Sequence, residues 1–563
     1  MTTYSDGVKE FLSRWIIPAA WLELRKKNLL PRTQKFWRGG ALSAPPAEAK
    51  FFSAIGRVAH TITRRDDSRS AVLLEAGVTE LPMPAGTASA LQFAVTADKW
   101  HEKDFIRITA LESSLYQTGL KTGHWLDMRL PFEGSADVFH VEASCPVYFS
   151  YPRRVNITKP GKPKAHRINH VLVLVLDGMT PLLETADLNV LPGGEVAPNI
   201  ERFFSQGFNA TNGWSTGEWT LPTTASFFTG LYTSRHGVHH PTFPTYLPPQ
   251  PLLAEILQQD GFHTLGMSTA NRLTPAYGSH RGFDRFIYHW PYPGHTVLDY
   301  DPARWCDEIC GHLDVHRHDR SFIYAHFPDT HPSWDIPPLT RSFNLLRRGS
   351  STGHNLNRLE NSSYAKEQGP HLNMLRLHEL DRQLGNIFDF VDRNIADETI
   401  VILTADHGTP WKALRSMRPC DEPYLVDQRT RVNLRMRGPG VPAMNFDRLC
   451  SPTIDLLPTI LSRLDLPCPK NIDGQDLLNQ EYYREWVVSE SIYSGNYELA
   501  IRNGSHVYFE KYPTIDGQFK LIGPASYRRL FNNNEDNYYN NLEEDLAIYI
   551  AKAKNHINRV SNS

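Results

Sequence analysis

Residues 171–178 read Val-Leu-Val-Leu-Val-Leu-Asp-Gly, a run of aliphatic residues that is followed at once by a carboxylate and a glycine. Such a continuous apolar run is typical of a strand that is buried on both faces of a parallel sheet. Similar runs occur at 263–268, 322–327 and 399–404, and stretches with helical character lie between them at 198–206, 252–259 and 374–395. This alternation of strands and helices predicts a doubly wound α/β domain.

Acidic and histidine side chains follow three of these runs directly. Asp177 follows the first, Asp329 and His331 follow the run at 322–327, and Asp406 and His407 follow the run at 399–404. In doubly wound sheets, ligands bind outside the carboxyl ends of the strands. Carboxylates and imidazoles are ligands that suit Mn, Zn or Mg. A single aspartate at a strand end often caps a turn, but three such strand ends in one domain predict a metal site.

The segment 219–230, Trp-Thr-Leu-Pro-Thr-Thr-Ala-Ser-Phe-Phe-Thr-Gly, resembles the signature of the sulfatase branch of the alkaline phosphatase superfamily. That signature is a nucleophile, any residue, Pro, Ser and Arg, with Thr-Gly closing the segment, so Thr220 stands at the nucleophile position. Other segments that resemble the family follow in its order, at 197–207, 234–237, 253–257, 261–264, 281–284, 437–441 and 454–459. The resemblance implies an alkaline-phosphatase/sulfatase-like doubly wound mixed sheet followed by a small C-terminal subdomain. The short alternating runs before it predict an N-terminal β-sandwich-like domain.

The resemblance also implies roles for the residues at the strand ends. Asp177, Asp406 and His407 would hold a divalent ion, with the Thr220 oxygen as a further ligand. Such an ion would activate the threonine hydroxyl as a nucleophile. His407 stands where typical sulfatases carry Asn, which favours Mn²⁺ or Zn²⁺ over Ca²⁺, with Mg²⁺ as a further candidate.

Two residues near the end of the run at 322–327 have open assignments. His331 matches the family's histidine before proline, which contacts the oxyanion or protonates the leaving group; the alternative is a structural histidine that caps a turn. Asp329 is a candidate ligand of a second metal, or alternatively a residue that orients His331.

Three departures from the sulfatase pattern bear on the reaction. Thr220 cannot supply formylglycine, which catalytic sulfatases make from Cys or Ser; Thr224 replaces the signature Arg; and Gly178 replaces the second Asp of the Asp-Asp pair. A Thr nucleophile with an Asp-His pair is similar to the phosphodiesterases and the phosphoethanolamine and phosphoglycerol transferases of the superfamily. We therefore predict a metal-dependent phosphoester hydrolase or phosphotransferase with a covalent Thr220 intermediate, acting on a phosphoester or glycan substrate.

Three alternatives remain open from the sequence. The first is a phosphoethanolamine or phosphoglycerol transferase that modifies a cell-surface polysaccharide. The second is a sulfuric ester hydrolase. The third is an inactive glycan-binding scaffold, which the missing signature Arg favours. The sequence does not decide between one metal and two, or between water and a sugar as the acceptor.

The chain divides into five predicted regions. Residues 1–44 form a basic, aromatic, amphipathic segment, 45–151 a β-rich accessory domain of short alternating runs, and 152–167 a basic linker. Residues 168–480 form the sulfatase-like domain and 481–563 the C-terminal subdomain. The polar stretch 347–369 is predicted to be a mobile lid or an excursion over the site. A segment like 1–40 contacts anionic membrane surfaces or docks on the protein itself.

Composition limits the partners and the setting. The 563 residues include 59 Lys and Arg against 61 Asp and Glu, a net charge of −2, which argues against a nucleic-acid partner. We find no secretory leader pattern and no aliphatic run long enough to cross a bilayer, and the 6 cysteines show no zinc spacing. We expect a cytoplasmic protein, with peripheral contact at the inner membrane face through residues 1–40.

Overall fold

The computed structural model describes a large part of the chain, and the predicted membrane-contacting segment, residues 1–44, lies outside it. The described residues are 51–53, 55–64, 67–84, 90–155, 168–179, 181, 196–239, 250–270, 273–275, 278–288, 300–331, 363–409, 424–493, 496–513, 521, 523–532 and 546–561.

The described residues form strands and helices in the following order. The strands are β1 His60–Arg64, β2 Asp67–Leu74, β3 Gly77–Pro82, β4 Ala90–Thr96, β5 Phe105–Ala110, β6 Ser113–Thr118, β7 Leu126–Pro131, β8 Val138–Ala143, β9 Val147–Ser150, β10 Arg153–Val155, β11 His170–Leu176, β12 Phe208–Trp214, β13 Phe262–Ser268, β14 Arg285–Tyr288, β15 Arg320–Phe327, β16 Thr399–Ala405, β17 Arg431–Arg437, β18 Met444–Phe446, β19 Val487–Tyr493, β20 Asn496–Arg502, β21 His506–Pro513 and β22 Tyr527–Asn532. The helices are α1 Pro198–Phe204, α2 Thr220–Thr229, α3 Thr233–His236, α4 Leu253–Gln259, α5 Pro302–Val315, α6 Ser363–Asn394, α7 Asp427–Thr430, α8 Pro452–Arg463 and α9 Leu546–Ser561, with a short 3₁₀ turn at Ala396–Glu398.

A large mixed sheet organises the molecule, in the order β10-β4-β9-β2-β14-β13-β15-β11-β16-β17-β12-β18. Its centre is parallel: β11 pairs with β15 on one side and with β16 on the other, and β13 pairs with β15. The strand β17 is antiparallel to β16. The predicted α/β class is therefore confirmed, and the four apolar runs are the four central strands β11, β13, β15 and β16.

Helices cover both faces of the central strands. Val171, Val173 and Val175 pack in one core with residues of α2, α4 and α8. Leu172 and Leu174 pack on the opposite face with residues of α1, α5 and α6. The strands are apolar on both faces because both faces are covered, which is why their sequences do not alternate.

Only the last residues of the predicted lid or excursion at 347–369 are described. Helix α6 begins at Ser363, so 363–369 are helical, while 347–362 lie outside the described residues.

The β-rich region before β11 is built from two sheets around a shared core. One sheet has the order β3-β8-β5-β6, and the other strands belong to the large mixed sheet, because β2 pairs with β14 through Ser68↔Phe286. The predicted linker at 152–167 starts with β10, which pairs with β4. Strands of this region thus extend the large sheet of the α/β part by hydrogen bonding to it.

The last part of the chain forms a four-stranded antiparallel sheet, β19 to β22, on which α9 packs. None of the helices in the described ranges has the length and apolar character needed to cross a bilayer. The expected cytoplasmic location stays a prediction.

Candidate active site

Asp177, Asp406 and His407 meet at the carboxyl edge of the parallel strands. Strands β11 and β16 pair in register up to Leu176↔Ala405, so the residues that follow them are neighbours. The Nε2 atom of His407 lies 3.6 Å from Asp177 Oδ1 and 3.4 Å from Asp406 Oδ2. One ligand atom from each of the three residues lies within 4.8 Å of the others, and all three side chains are buried. The structure thus brings together three of the residues predicted to hold a metal.

Backbone hydrogen bonds orient this cluster. The N–H groups of Gly178 and His407 donate to Asp406 Oδ1 over 3.0 and 2.8 Å. The ring Nδ1 of His407 lies 3.0 Å from the Gly408 carbonyl, to which it can only donate, and this leaves Nε2 as the ring atom with a free lone pair.

The cluster fits a divalent ion. Among the described residues, Asp177 Oδ1 and His407 Nε2 are buried without a hydrogen-bond partner. Buried polar atoms nearly always have a partner, and two acceptors that face each other are satisfied by a cation between them. Two carboxylates and one imidazole are also a donor set that Mn²⁺ and Zn²⁺ accept. The identity of the ion does not follow from the donor set alone.

The electrostatics of the two aspartates agree with this fit. Burial, and next the charge of Asp406, raise the pKa of Asp177 well above its usual range, against the lowering effect of His326 and of a hydrogen bond with Thr220. Burial alone would raise the pKa of Asp406 too, but the charge of His407 and a hydrogen bond from His326 lower it. Two carboxylates held this close favour a shared proton or a bound cation.

Thr220 is the first residue of α2 and lies at the cluster. Trp219 before it is extended, and α2 runs to Thr229 on the face of the sheet that contains Val171 and Val173. The Thr220 hydroxyl is close enough to Asp177 to help lower the pKa of that carboxyl, which puts its oxygen beside the metal ligands. The structure therefore brings the predicted nucleophile together with the predicted ligands.

His326 is a member of the site that the sequence analysis missed. Its Nε2 lies 3.3 Å from Asp406 Oδ2 and donates to it, and its Nδ1 lies 3.8 Å from Asp177 Oδ2. Burial would lower the pKa of this imidazole, but the two carboxylates raise it. A signal was available in the sequence, since His326 is a histidine within the predicted buried run at 322–327 and three positions before Asp329.

His331 lies at the edge of the cluster, and Asp329 does not belong to it. The His331 ring is perpendicular to the His407 ring with the centroids 6.3 Å apart. Burial, and then the charge of His407, lower the pKa of His331 to about 3. Asp329 accepts a hydrogen bond from the Tyr300 hydroxyl, and burial raises its pKa to about 6. In the described residues Asp329 is part of no group of three metal ligands, so the geometry does not favour its role as a ligand.

The site thus combines a large mixed α/β sheet with two aspartates, a histidine and a helix-terminal threonine at its carboxyl edge. The family model described as Sulfatase matches residues 169–466, which is more than half of the chain. The chain belongs to the sulfatase family.

Individual relatives are distant. Arylsulfatase K of Rattus norvegicus is 30% identical over 126 residues, 20% of this chain and 22% of the arylsulfatase, so the matched segment spans about a fifth of that relative. The phosphonate monoester hydrolase SpPMH from Silicibacter pomeroyi superposes with a TM-score of 0.53 at 17% identity, over 69% of this chain and 95% of that one. A putative sulfatase from Bacteroides thetaiotaomicron VPI-5482 gives a TM-score of 0.52 at 18% identity, over 71% and 93%. At this identity the two structures show a common fold.

Proposed function

We propose that this protein is a metal-dependent phosphoester hydrolase or phosphotransferase that acts through a covalent intermediate on Thr220. The observation that carries the proposal is the position of Thr220, the first residue of α2, beside Asp177, whose pKa its hydroxyl helps to lower, in a cluster with Asp406 and His407. A threonine gives no formylglycine, and an unmodified hydroxyl is suited to form an ester with phosphorus.

The residues of the site would divide the work as follows. Asp177, Thr220, Asp406 and His407 would hold a divalent ion, which would lower the pKa of the threonine hydroxyl and offset the charge of the substrate. Asp177 orients the hydroxyl of Thr220, whose oxygen forms a bond to phosphorus while the bond to the leaving group breaks. His326 fixes Asp406 through the hydrogen bond to Oδ2. His331 is close enough to the cluster to exchange a proton with the leaving group, and then with the water or hydroxyl that cleaves the Thr220 ester.

The substitution Thr220→Ala tests this proposal. It removes the nucleophile, so we expect turnover of an aryl phosphodiester or phosphonate to fall by about 10⁴-fold or more while the fold is retained. The matched control is Thr229→Val at the other end of α2, whose hydroxyl donates only to the Ala225 carbonyl. Mass spectrometry of the acid-quenched wild-type enzyme should find phosphate on the peptide that contains Thr220. Full activity of the Thr220→Ala variant would rule out the proposal.

A sulfuric ester hydrolase is the second candidate, because the matching family model and the arylsulfatase relative carry that activity in their names. The same enzyme preparation should be assayed on aryl sulfates and on phosphate mono- and diesters. A higher kcat/KM for sulfate esters would favour this second candidate over the first.

A further inference from the structure

A second group of metal-ligating side chains lies at the opposite, amino-terminal end of the parallel strands. His263 is the second residue of β13, Asp319 directly precedes β15, and His316 follows the last residue of α5. One ligand atom from each lies within 4.8 Å of the others, and 4%, 7% and 4% of these residues are exposed. The eight residues of β15 separate this group from the active-site edge by roughly 20 Å.

The sheet register explains why these residues meet. His263 in β13 is paired with Ser321 in β15, two residues after Asp319. Side chains at alternate positions share a face, and Leu265 and Ile323 on this face pack against α5. His312 lies in the last turn of α5 and His316 follows the helix directly, four residues later. His312 Nε2 lies 3.4 Å from the His263 carbonyl. The end of α5 thus covers the start of β13 and β15.

The imidazoles of this group have lone pairs to offer. The rings of His263 and His316 are stacked with their centroids 4.0 Å apart. Burial, followed by nearby cationic groups, lowers the pKa of His316 to about 3, and burial lowers the pKa of His263 well below its usual value. Within the described residues the Nδ1 atom of His316 has no hydrogen-bond partner, and it lies 3.8 Å from Asp319 Oδ2. A buried nitrogen that faces a carboxylate without a hydrogen bond is the arrangement that a shared cation completes.

Arginines surround the group, and acidic partners balance most of their charge. Arg153 pairs with Asp284 at 2.7 Å, and Arg285 pairs with Glu308 at 2.8 Å and with Asp67 at 3.2 Å.

Arg129 donates to the Val315 carbonyl over 3.5 Å and to Gln92 over 3.0 Å. In the described ranges, the structure gives no acidic partner for this guanidinium. The carbonyl groups of the last turn of α5 add partial negative charge beside His316. The Asp319 carboxylate and the imidazoles of His263 and His316 are the metal-ligating groups that meet at this place.

We propose that His263, His316 and Asp319 form a second, buried binding site for a divalent metal ion such as Zn²⁺. Two imidazoles and one carboxylate are a donor set that Zn²⁺ accepts, and a solvent-poor position is typical of structural metal sites. The site would fasten the end of α5 to the starts of β13 and β15. It uses none of the proposed active-site residues, so it stands or falls separately from the proposed function.

The test counts zinc in a full-length variant whose active-site cluster is disabled by Asp177→Asn, Asp406→Asn and His407→Gln together. After loading with Zn²⁺ and removal of excess metal, we expect about one zinc per chain by elemental analysis, and a near-complete loss on adding His316→Gln. The matched control adds His318→Gln instead, which changes a neighbouring histidine outside the group. No retained zinc in the cluster-disabled variant, or equal zinc with His316→Gln, would overturn the proposal.

A second measurement covers the case in which His316→Gln does not fold. The cluster-disabled variant is titrated with Zn²⁺ and its Tm is followed, because an ion that binds only the folded chain raises Tm with concentration. We expect a rise that Asp319→Asn removes. A Tm that does not respond to Zn²⁺ in the cluster-disabled variant would contradict the proposal.

Discussion

At the scale of single residues, Gly178 shows why a glycine replaces the aspartate that sulfatases carry at this position. Its φ is +66°, and a Cβ atom would lie 3.0 Å from Thr409 Oγ1 and 3.5 Å from the rings of His331 and His407. Its N–H donates to Asp406. The position therefore needs a residue without a side chain to keep the cluster together.

The substitution Gly178→Ala should reduce both stability and activity. We expect a loss of about 1–2 kcal/mol from the left-handed backbone, and a fall in kcat/KM of about tenfold or more because Asp406 and His407 are displaced. The control is Gly237→Ala, with a φ of +69° and no atom within 4 Å of the added Cβ. Thermal unfolding and steady-state kinetics compare the two. Equal activity of the two variants would show that the crowding at Gly178 does not matter.

At the scale of elements, Asp455 anchors α8 to the chain that follows it. Its carboxylate is buried and accepts hydrogen bonds from Arg484, from the Tyr482 hydroxyl at 2.7 Å and from the N–H groups of Ser451 at 2.9 Å and Gln475 at 2.8 Å. Helix α8 in turn packs against α2, whose first residue is Thr220. The position of the proposed nucleophile thus depends on the buried hydrogen bonds of Asp455, which hold α8 against α2.

The substitution Asp455→Asn should destabilise the protein by about 3–5 kcal/mol, because it leaves the buried guanidinium of Arg484 without its charge partner. Replacing Asp389, whose pair with Arg202 is exposed, with Asn should cost less than about 1 kcal/mol. Urea unfolding followed by circular dichroism measures both. A similar small loss in the two variants would mean that the Asp455 network contributes little.

At the scale of the whole molecule, Glu490 joins the C-terminal sheet to the α/β part. It lies in β19, accepts hydrogen bonds from the Ser234 N–H and from His556 at 3.0 Å each, and is fully buried. Burial would raise its pKa, but the charge and hydrogen bond of His556 lower it to about 2 from an ordinary 4.5. A carboxylate with a lowered pKa stabilises the folded state above its ordinary pKa and loses that contribution as the pH falls toward the lowered value.

The substitution Glu490→Gln should therefore lower stability most at neutral pH, by about 3 kcal/mol at 1.4 kcal/mol per pKa unit. The deficit should shrink as the pH falls from about 5 to about 2, because the wild-type carboxylate then loses its advantage. Urea unfolding at several pH values checks this, with the exposed Glu112→Gln as the control. A deficit that does not change with pH would contradict the assignment.

The sequence alone determined the class of the fold and most of the candidate site. Strands covered on both faces are apolar at every position, so β11, β13, β15 and β16 can be recognised from local composition. Asp177, Asp406 and His407 follow such strands directly, and parallel strands end at one edge, so their meeting could be predicted without coordinates. Thr220 was found by its resemblance to a signature rather than by its local pattern.

Only the tertiary structure decided which distant segments touch. His326 reaches Asp406 because its face of β15 is turned toward that carboxylate, and His316 reaches His263 because α5 ends above the start of β13. The pairing of β2 with β14, which joins residues more than two hundred positions apart, has no local signal either. Periodicity and composition report the environment of each segment, whereas the partner of each segment is fixed by how the buried faces of all of them pack together.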